Sequence, residues 1–229
     1  MRIPTFASET TFRMNPLLIA ATAKEIEPLI REYRNGIKLS HLNMDILITG
    51  IGLTSTAYHL TKQLQIKKPD LVIQAGVGGC FTKQLSLGSV VAIKQDTIAD
   101  ESVVELKKLK TLFDLKLLPQ NQFPFKKGWL ANSNKEILKK SKLKQVAGIS
   151  VNQITSSKQM IGFYKDQFDP IIESMEGAAL HYVCLMENIP FIQLRSVSNY
   201  IGERNKKNWD MKKSIVNLNE ALIKLLNTI

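Results

Sequence analysis

The sequence predicts an α/β domain built as a three-layer sandwich, with helices around a mixed, largely parallel central sheet. Short apolar runs alternate with helix-period segments along the chain, and glycine-rich turns stand at the ends of several runs. At 229 residues, 44% of them apolar, the chain is long enough to bury one full-sized core and too hydrophobic for a disordered polymer.

The elements follow in order. Residues 17–21, 45–49, 70–75, 89–93, 146–150 and 191–195 read as strands, each a short apolar run. Between them, residues 25–33, 54–66 and 176–187 read as helices, and Ala57, Leu60 and Leu64 recur at helical spacing in the second. A last helix over 209–227 carries Ile215, Leu218, Leu222 and Leu225 on one stripe. Residues 120–128, flanked or punctuated by Pro119, Pro124 and Gly128, read as a loop inside the domain. Residues 1–15 show no pattern and are expected to be a tail ahead of a domain over 16–229, with Met14 a candidate native start.

Charge and composition narrow the function classes. The 31 Lys and Arg outnumber the 20 Asp and Glu, for a net +11. Eleven lysines and three acids lie between Glu105 and Lys144, so this segment holds +8 of that charge, and it contains no arginine. Arginine is the side chain that forks onto phosphates and base edges. Leu106, Leu109, Leu112, Leu138 and Leu143 punctuate the lysines as on the wet faces of amphipathic helices, so a solvated surface outweighs a nucleic-acid site here. Cys80 and Cys184 have no paired spacing, which argues against a disulfide scaffold and a thiolate zinc site, and no metal or cofactor is implied. No apolar run reaches the roughly 20 residues of a membrane span. The expectation is a soluble protein of a reducing compartment, most simply cytoplasmic. His41, His59 and His181 are read as structural residues on helix or loop surfaces.

In open α/β sheets, ligands bind beyond the carboxyl ends of the strands. At those ends Glu25 follows the first strand, where a carboxylate faces the ligand crevice but is equally suited to a helix start. Thr49-Gly50-Ile51-Gly52 and Ala75-Gly76-Val77-Gly78-Gly79 let backbone N–H groups approach a ligand, though neither is a dinucleotide fingerprint or a phosphate loop. Glu176, before the small residues Gly177, Ala178 and Ala179, has the geometry to accept from two vicinal hydroxyls or to cap its helix. Arg195 and Asn199, in an otherwise apolar run, need buried partners, either a ligand or a carboxylate.

Taken in order, Ala-Thr-Ala-Lys-Glu25, Thr-Gly-Ile-Gly52, Ala-Gly-Val-Gly-Gly79, Leu-Ser-Leu-Gly88, Ser-Met-Glu-Gly-Ala-Ala179 and Arg-Ser-Val-Ser-Asn199 resemble the purine and uridine phosphorylase superfamily. They are most similar to its nucleosidase branch, which contains methylthioadenosine/S-adenosylhomocysteine nucleosidase. Within that branch, the stretch from Glu173 to Ala179 and that from Arg195 to Trp209 look like futalosine hydrolase. The resemblance runs from Pro16 to the C-terminus and is poor over 106–145.

The resemblance implies a homodimer that hydrolyses an N-glycosidic bond through a ribosyl cation-like transition state and takes a small purine nucleoside. Glu25 would orient and deprotonate water, with Arg195 helping to hold it. Glu176 would bind the 2′- and 3′-hydroxyls, and Met175 would lie against the ribose. Asn199, beside Ser198, matches the position that holds the purine N7, while Val77 and Gly78 belong to the glycine turn at the substrate. Ile154 and Thr155 match the segment that packs on the base. Adenine-cleaving relatives carry aspartic acid at the Asn199 position. An amide cannot transfer that proton, but it can donate to O6 and accept from N7–H, which suits a 6-oxopurine. The phosphorylases carry arginines after the Gly50 loop and near Val90; this sequence has none there, which favours water over phosphate. The implied product is hypoxanthine, released from futalosine on a route to menaquinone. For the carboxylate of that substrate, Arg204 and Lys206 are both candidates.

Overall fold

The computed structural model describes residues 14–34, 39 and 42–229. Residues 1–13 of the expected tail and His41 lie outside the described residues.

The first strand, β1 (Pro16–Ala20), shows why the fold has three layers. Successive side chains of a strand point to opposite faces. Leu18 and Ala20 join Ile26 and Leu29 of α1 (Ala23–Arg34) and Leu218, Leu222 and Leu225 of α6 (Met211–Leu226). Leu17 and Ile19 instead meet Leu60 and Leu64 of α2 (Leu53–Ile66) and Leu180, Val183 and Cys184 of α5 (Gly177–Met186). Both faces of the strand are therefore dry, and the run reads as continuously apolar.

The central sheet also contains β2 (Asp45–Ile48), β3 (Leu71–Cys80), β4 (Val90–Asp96), β7 (Leu130–Ala131), β8 (Lys144–Ser150), β9 (Ile172–Ser174) and β10 (Phe191–Tyr200). β1 lies between β2 and β3, parallel to both. One edge of β3 carries β10 along most of its length; the other carries β1 in the first half and β9 at Gly79 and Cys80. The path from β3 through β9, β8 and β4 to β10 returns to β3. These five strands thus close on themselves around Cys80, Val91, Ile93, Val146, Ile172 and Val197. β4 runs antiparallel to β10 and β9 antiparallel to β3, so the sheet is mixed, as expected. No helix among the described residues is long and apolar enough to cross a membrane.

The lysine-rich segment differs from expectation. β5 (Ser102–Glu105) and β6 (Lys108–Thr111) form an antiparallel hairpin whose tip, Leu106 and Lys107, has φ of 49° and 64°. Two consecutive positive φ values match the right-handed twist of a tight hairpin. The sequence Lys108-Leu109-Lys110-Thr111 buries Leu109 and Thr111 alone, a period of two rather than 3.6. Only α3 (Lys135–Lys140) is helical there. His181 is also corrected: it is fully buried on α5, whereas His59 is exposed as expected.

Candidate active site

The carboxyl ends of β1, β3 and β10 open into a cavity of about 290 Å³. Glu25, Val77, Gly78, Met175, Glu176 and Asn199 line it, together with Ile154 and Ser198. Thr155 lines the neighbouring cavity, and Arg195 stands behind the wall, 2% exposed.

Local sequence sets each position. Glu25 is the third residue of α1 and 8% exposed. Its Oε2 accepts from the Thr22 N–H at 3.0 Å and the Thr22 hydroxyl at 3.1 Å, and its Oε1 accepts from the Val77 N–H at 3.1 Å. The helix-start bond and the cavity-facing position are therefore two properties of one residue. A carboxylate has about four lone-pair sites, so one remains for a molecule in the cavity.

Pro28 lies inside α1 and cannot donate to a preceding carbonyl. One residue further on, Asn219 of α6 bonds to two groups that pair with each other in a regular helix: its amide accepts from the Leu29 N–H at 3.0 Å and donates to the Glu25 carbonyl at 2.8 Å. The backbone of Glu25 is thus tied to the far helix.

Glu176 stands at the N-cap position of α5, makes no side-chain capping bond and is 5% exposed. Its Oε1 accepts from the Gly52 N–H at 3.2 Å, and its Oε2 lies 3.2 Å from Arg195 Nη1. The carboxylate partner that the sequence required for Arg195 is Glu176. Arg195 also donates to the Val77 carbonyl at 3.3 Å and to Gln74 Oε1 at 3.2 Å. Gly76 makes room for this cluster. A Cβ there would collide with Arg195 Nη1 and stand 3.1 Å from Glu25 Oε1.

Behind Arg195 runs a buried polar chain that sequence reasoning missed. With its amide oriented to satisfy both ends, Gln193 accepts from Arg195 Nε at 3.1 Å and donates toward His181 Nε2 at 2.9 Å and Asp96 Oδ2 at 3.2 Å. Asp96 Oδ1 accepts from the Ser150 hydroxyl at 3.0 Å, and His181 Nδ1 lies 2.7 Å from the Leu130 carbonyl. Burial pushes the Asp96 carboxyl up to about 7 and His181 down to about 4, so the imidazole is neutral with its proton on Nδ1. Gln74 and Gln193 sit opposite each other in two apolar runs, and that polar interruption was the signal available.

At the end of β10 the register slips between Val197 and Asn199, a bulge of the kind that re-aims a side chain beside a site. Asn199 Oδ1 accepts from the Ser198 hydroxyl at 2.8 Å and Nδ2 donates to the Tyr200 carbonyl at 3.2 Å. These bonds fix which way the amide faces. One N–H and one lone pair stay available to a ligand. Glu173, Ile51, Trp209 and Met211, given no role by the sequence, also line the cavity.

Residues 19–229 match the profile of the Phosphorylase superfamily. The chain belongs to this family. Among its relatives, the 5′-methylthioadenosine/S-adenosylhomocysteine nucleosidase of Haemophilus ducreyi is 26% identical over 199 residues, 80% of this chain and 83% of that one. The futalosine hydrolase of Thermus thermophilus is 25% identical over 216 residues, 93% of each chain. The fold matches the Helicobacter pylori methylthioadenosine/S-adenosylhomocysteine nucleosidase bound to butyl-thio-DADMe-Immucillin-A, with a TM-score of 0.79 and 20% identity over 95% of this chain and 100% of that one. It matches Helicobacter pylori futalosine hydrolase with a TM-score of 0.76 at 20% identity, over 95% and 99%. The superfamily, its nucleosidase branch and the mixed α/β fold are those the motifs implied.

Proposed function

We propose that this member of the nucleosidase branch is a hydrolase that cleaves futalosine to hypoxanthine and the dehypoxanthine sugar. The observation that carries the reading is Asn199. Its amide is held by Ser198 and Tyr200 so that it offers one donor and one acceptor to the cavity, the pattern complementary to O6 and N7–H of a 6-oxopurine.

The mechanism uses this chain's own groups. Glu25 takes a proton from a water held in the cavity, and the water oxygen bonds to C1′ of the ribose. The glycosidic bond breaks and its electron pair leaves with the purine. The base gains its proton from solvent, because an amide has none to give, and Asn199 then accepts from N7–H. Glu176, oriented by Gly52 and Arg195, receives the ribose hydroxyls, and Met175 packs on the sugar. Arg195 acts on water only through the groups around it, since its nearest carboxylate contact is Glu176. For the substrate carboxylate, Arg204 and Lys206 both remain candidates; the Arg204 guanidinium carbon is 5.9 Å from the ring centre of Trp209, which lines the cavity. The homodimer implied by the resemblance and the cytoplasmic location expected from composition belong to this proposal, and analytical ultracentrifugation tests the former.

The test is base release in phosphate-free buffer from futalosine, inosine and methylthioadenosine, with hypoxanthine and adenine separated by liquid chromatography. Hypoxanthine from futalosine without phosphate is the expected result. Adenine alone overturns the substrate, and release only when phosphate is added overturns hydrolysis.

A further inference from the structure

An N-cap side chain ordinarily accepts from the second or third N–H of its own helix. Glu176, the N-cap residue of α5, does not: its carboxylate turns away to Gly52 and Arg195 at the cavity. Each N–H that could draw it inward is already taken. The Gly177 N–H donates to the Ser174 hydroxyl oxygen at 3.2 Å and the Ala178 N–H to the Ser150 hydroxyl oxygen at 2.8 Å. The Ala179 N–H donates to the carbonyl of Glu176 itself at 3.1 Å.

Sheet register builds this external cap. Ser150 ends β8 and Ser174 ends β9, and the two are paired in the parallel ladder. Side chains paired in this way stand on one face of the sheet, and here the hydroxyl oxygens are 3.3 Å apart. Ser150 gives its only hydrogen to Asp96 Oδ1 at 3.0 Å, so in the contact between the hydroxyls Ser174 is the donor. The two lone pairs of Ser150 are then filled, one by Ser174 and one by Ala178. Asp96 ends β4, and two glycines leave space for its carboxylate. A Cβ on Gly177 would collide with Oδ2, and one on Gly148 would stand 3.2 Å from it. A carboxylate beside a helix N-terminus is also favoured by the helix dipole. The cap of α5 thus comes from three strands and not from the side chain of its own N-cap residue.

We propose that Ser150 is a positioning residue for the nucleosidase site: by capping α5 from β8, it leaves the Glu176 carboxylate to face the cavity and the ribose hydroxyls. The inference rests on the reading that Glu176 receives those hydroxyls. Ser150 is fully buried, so it reaches the substrate only through Glu176. Without its hydroxyl the Ala178 N–H is left unpaired, and a buried donor at the second helical position draws the N-cap carboxylate toward it. Glu176 then turns from Gly52 into the helix, and the ribose hydroxyls lose their acceptor.

The experiment takes whichever of futalosine, inosine and methylthioadenosine the wild-type protein cleaves fastest. It measures kcat/KM for that nucleoside and for its 2′-deoxy analogue, in wild type and in Ser150→Ala. The ratio of ribo to 2′-deoxy substrate is expected to fall about tenfold or more in the variant, the usual worth of a hydrogen bond to a charged group. A loss of folded protein or a general loosening lowers both rates alike. An unchanged ratio therefore overturns the proposal, while the nucleosidase reading stands on the wild-type activity. A wild type that cleaves none of the three, or that prefers the 2′-deoxy analogue, overturns the reading of Glu176 and this inference with it. Ser150→Cys keeps the shape of the side chain and puts a weak acceptor in place of the hydroxyl. It is expected to lower the ratio in the same direction, and it decides the question if Ser150→Ala does not fold: a ratio equal to that of the wild type overturns the assignment.

Discussion

The side chain of Asn219 bridges Leu29 and Glu25 across one turn of α1. Its amide accepts from the Leu29 N–H and donates to the Glu25 carbonyl, at 3.0 and 2.8 Å, from a position 2% exposed on α6. These two buried backbone groups take their partner from a residue 190 positions beyond Leu29. Glu25 is thereby held at the cavity from two directions, by Thr22 and Val77 at its carboxylate and by Asn219 at its backbone.

Asn219→Leu should therefore damage both stability and activity. It leaves a buried N–H and a buried carbonyl unpaired, at about 1–3 kcal/mol each. Urea unfolding should show the loss in midpoint, and kcat should fall more than KM rises because Glu25 shifts relative to the substrate. An unfolding free energy within about 0.5 kcal/mol of wild type, the usual scatter of neutral substitutions, contradicts this account.

Arg195 and Glu176 form a buried ion pair, 2% and 7% exposed at their side chains. Removing one member of such a pair costs about 3–5 kcal/mol, while replacing both by apolar groups is often tolerated. Arg195→Met is expected to destabilise the protein by that amount, and adding Glu176→Leu should recover part of the loss without restoring activity. A double variant no more stable than the single one would show that the pair is not the stabilising unit.

Asn199→Asp should move the preference toward adenine nucleosides by tenfold or more, since aspartic acid can give a proton to N7 and accept from the 6-amino group. The check is the ratio of kcat/KM for methylthioadenosine to that for inosine. A ratio equal to the wild type removes Asn199 from base recognition.

Asp96 and His181 oppose each other in the pH dependence of stability. The carboxyl of Asp96 is raised from 3.8 to about 7 by burial, so the folded protein holds its proton more tightly; that stabilisation is complete below about 3.8 and disappears as pH rises through 7. His181 is lowered from 6.5 to about 4 by burial, so its contribution is complete above about 6.5 and disappears as pH falls through 4. Between pH 4.5 and 6.5 the two slopes offset. Asp96→Asn should leave the His181 slope exposed, so that stability climbs with pH across this window, and His181→Gln should reverse the sign. Denaturant midpoints at three pH values decide it; parallel curves for the two variants would refute it.

Much of the fold was legible in the chain. Leu17–Ala21 and Phe191–Arg195 read as strands because both their faces are buried, which leaves an unbroken apolar run. The last helix was legible because Leu218, Leu222 and Leu225 all face one layer. β9 was not, since three residues carry no period, and the hairpin of β5 and β6 was hidden by lysines whose two-residue alternation is short. At the site, Glu25, Glu176 and Asn199 stand out in sequence because each interrupts an apolar or small-residue stretch at a strand exit. Glu173 belongs to the same motif as Glu176, and nothing local in the sequence signals its bond to the Thr155 N–H.

Sequence alone determined the layered α/β class and which polar residues would need buried partners, because periodicity and local chemistry are properties of neighbours along the chain; the superfamily followed from the resemblance of its motifs. Only the tertiary structure decided who those partners are. Arg195 meets Glu176 rather than Glu25, Asn219 of α6 bonds into α1, and Gly79 pairs with Glu173 on one side and Asn199 on the other. Each of these pairings joins separate elements through sheet register or helix packing, and register is a relation between strands that no single strand contains.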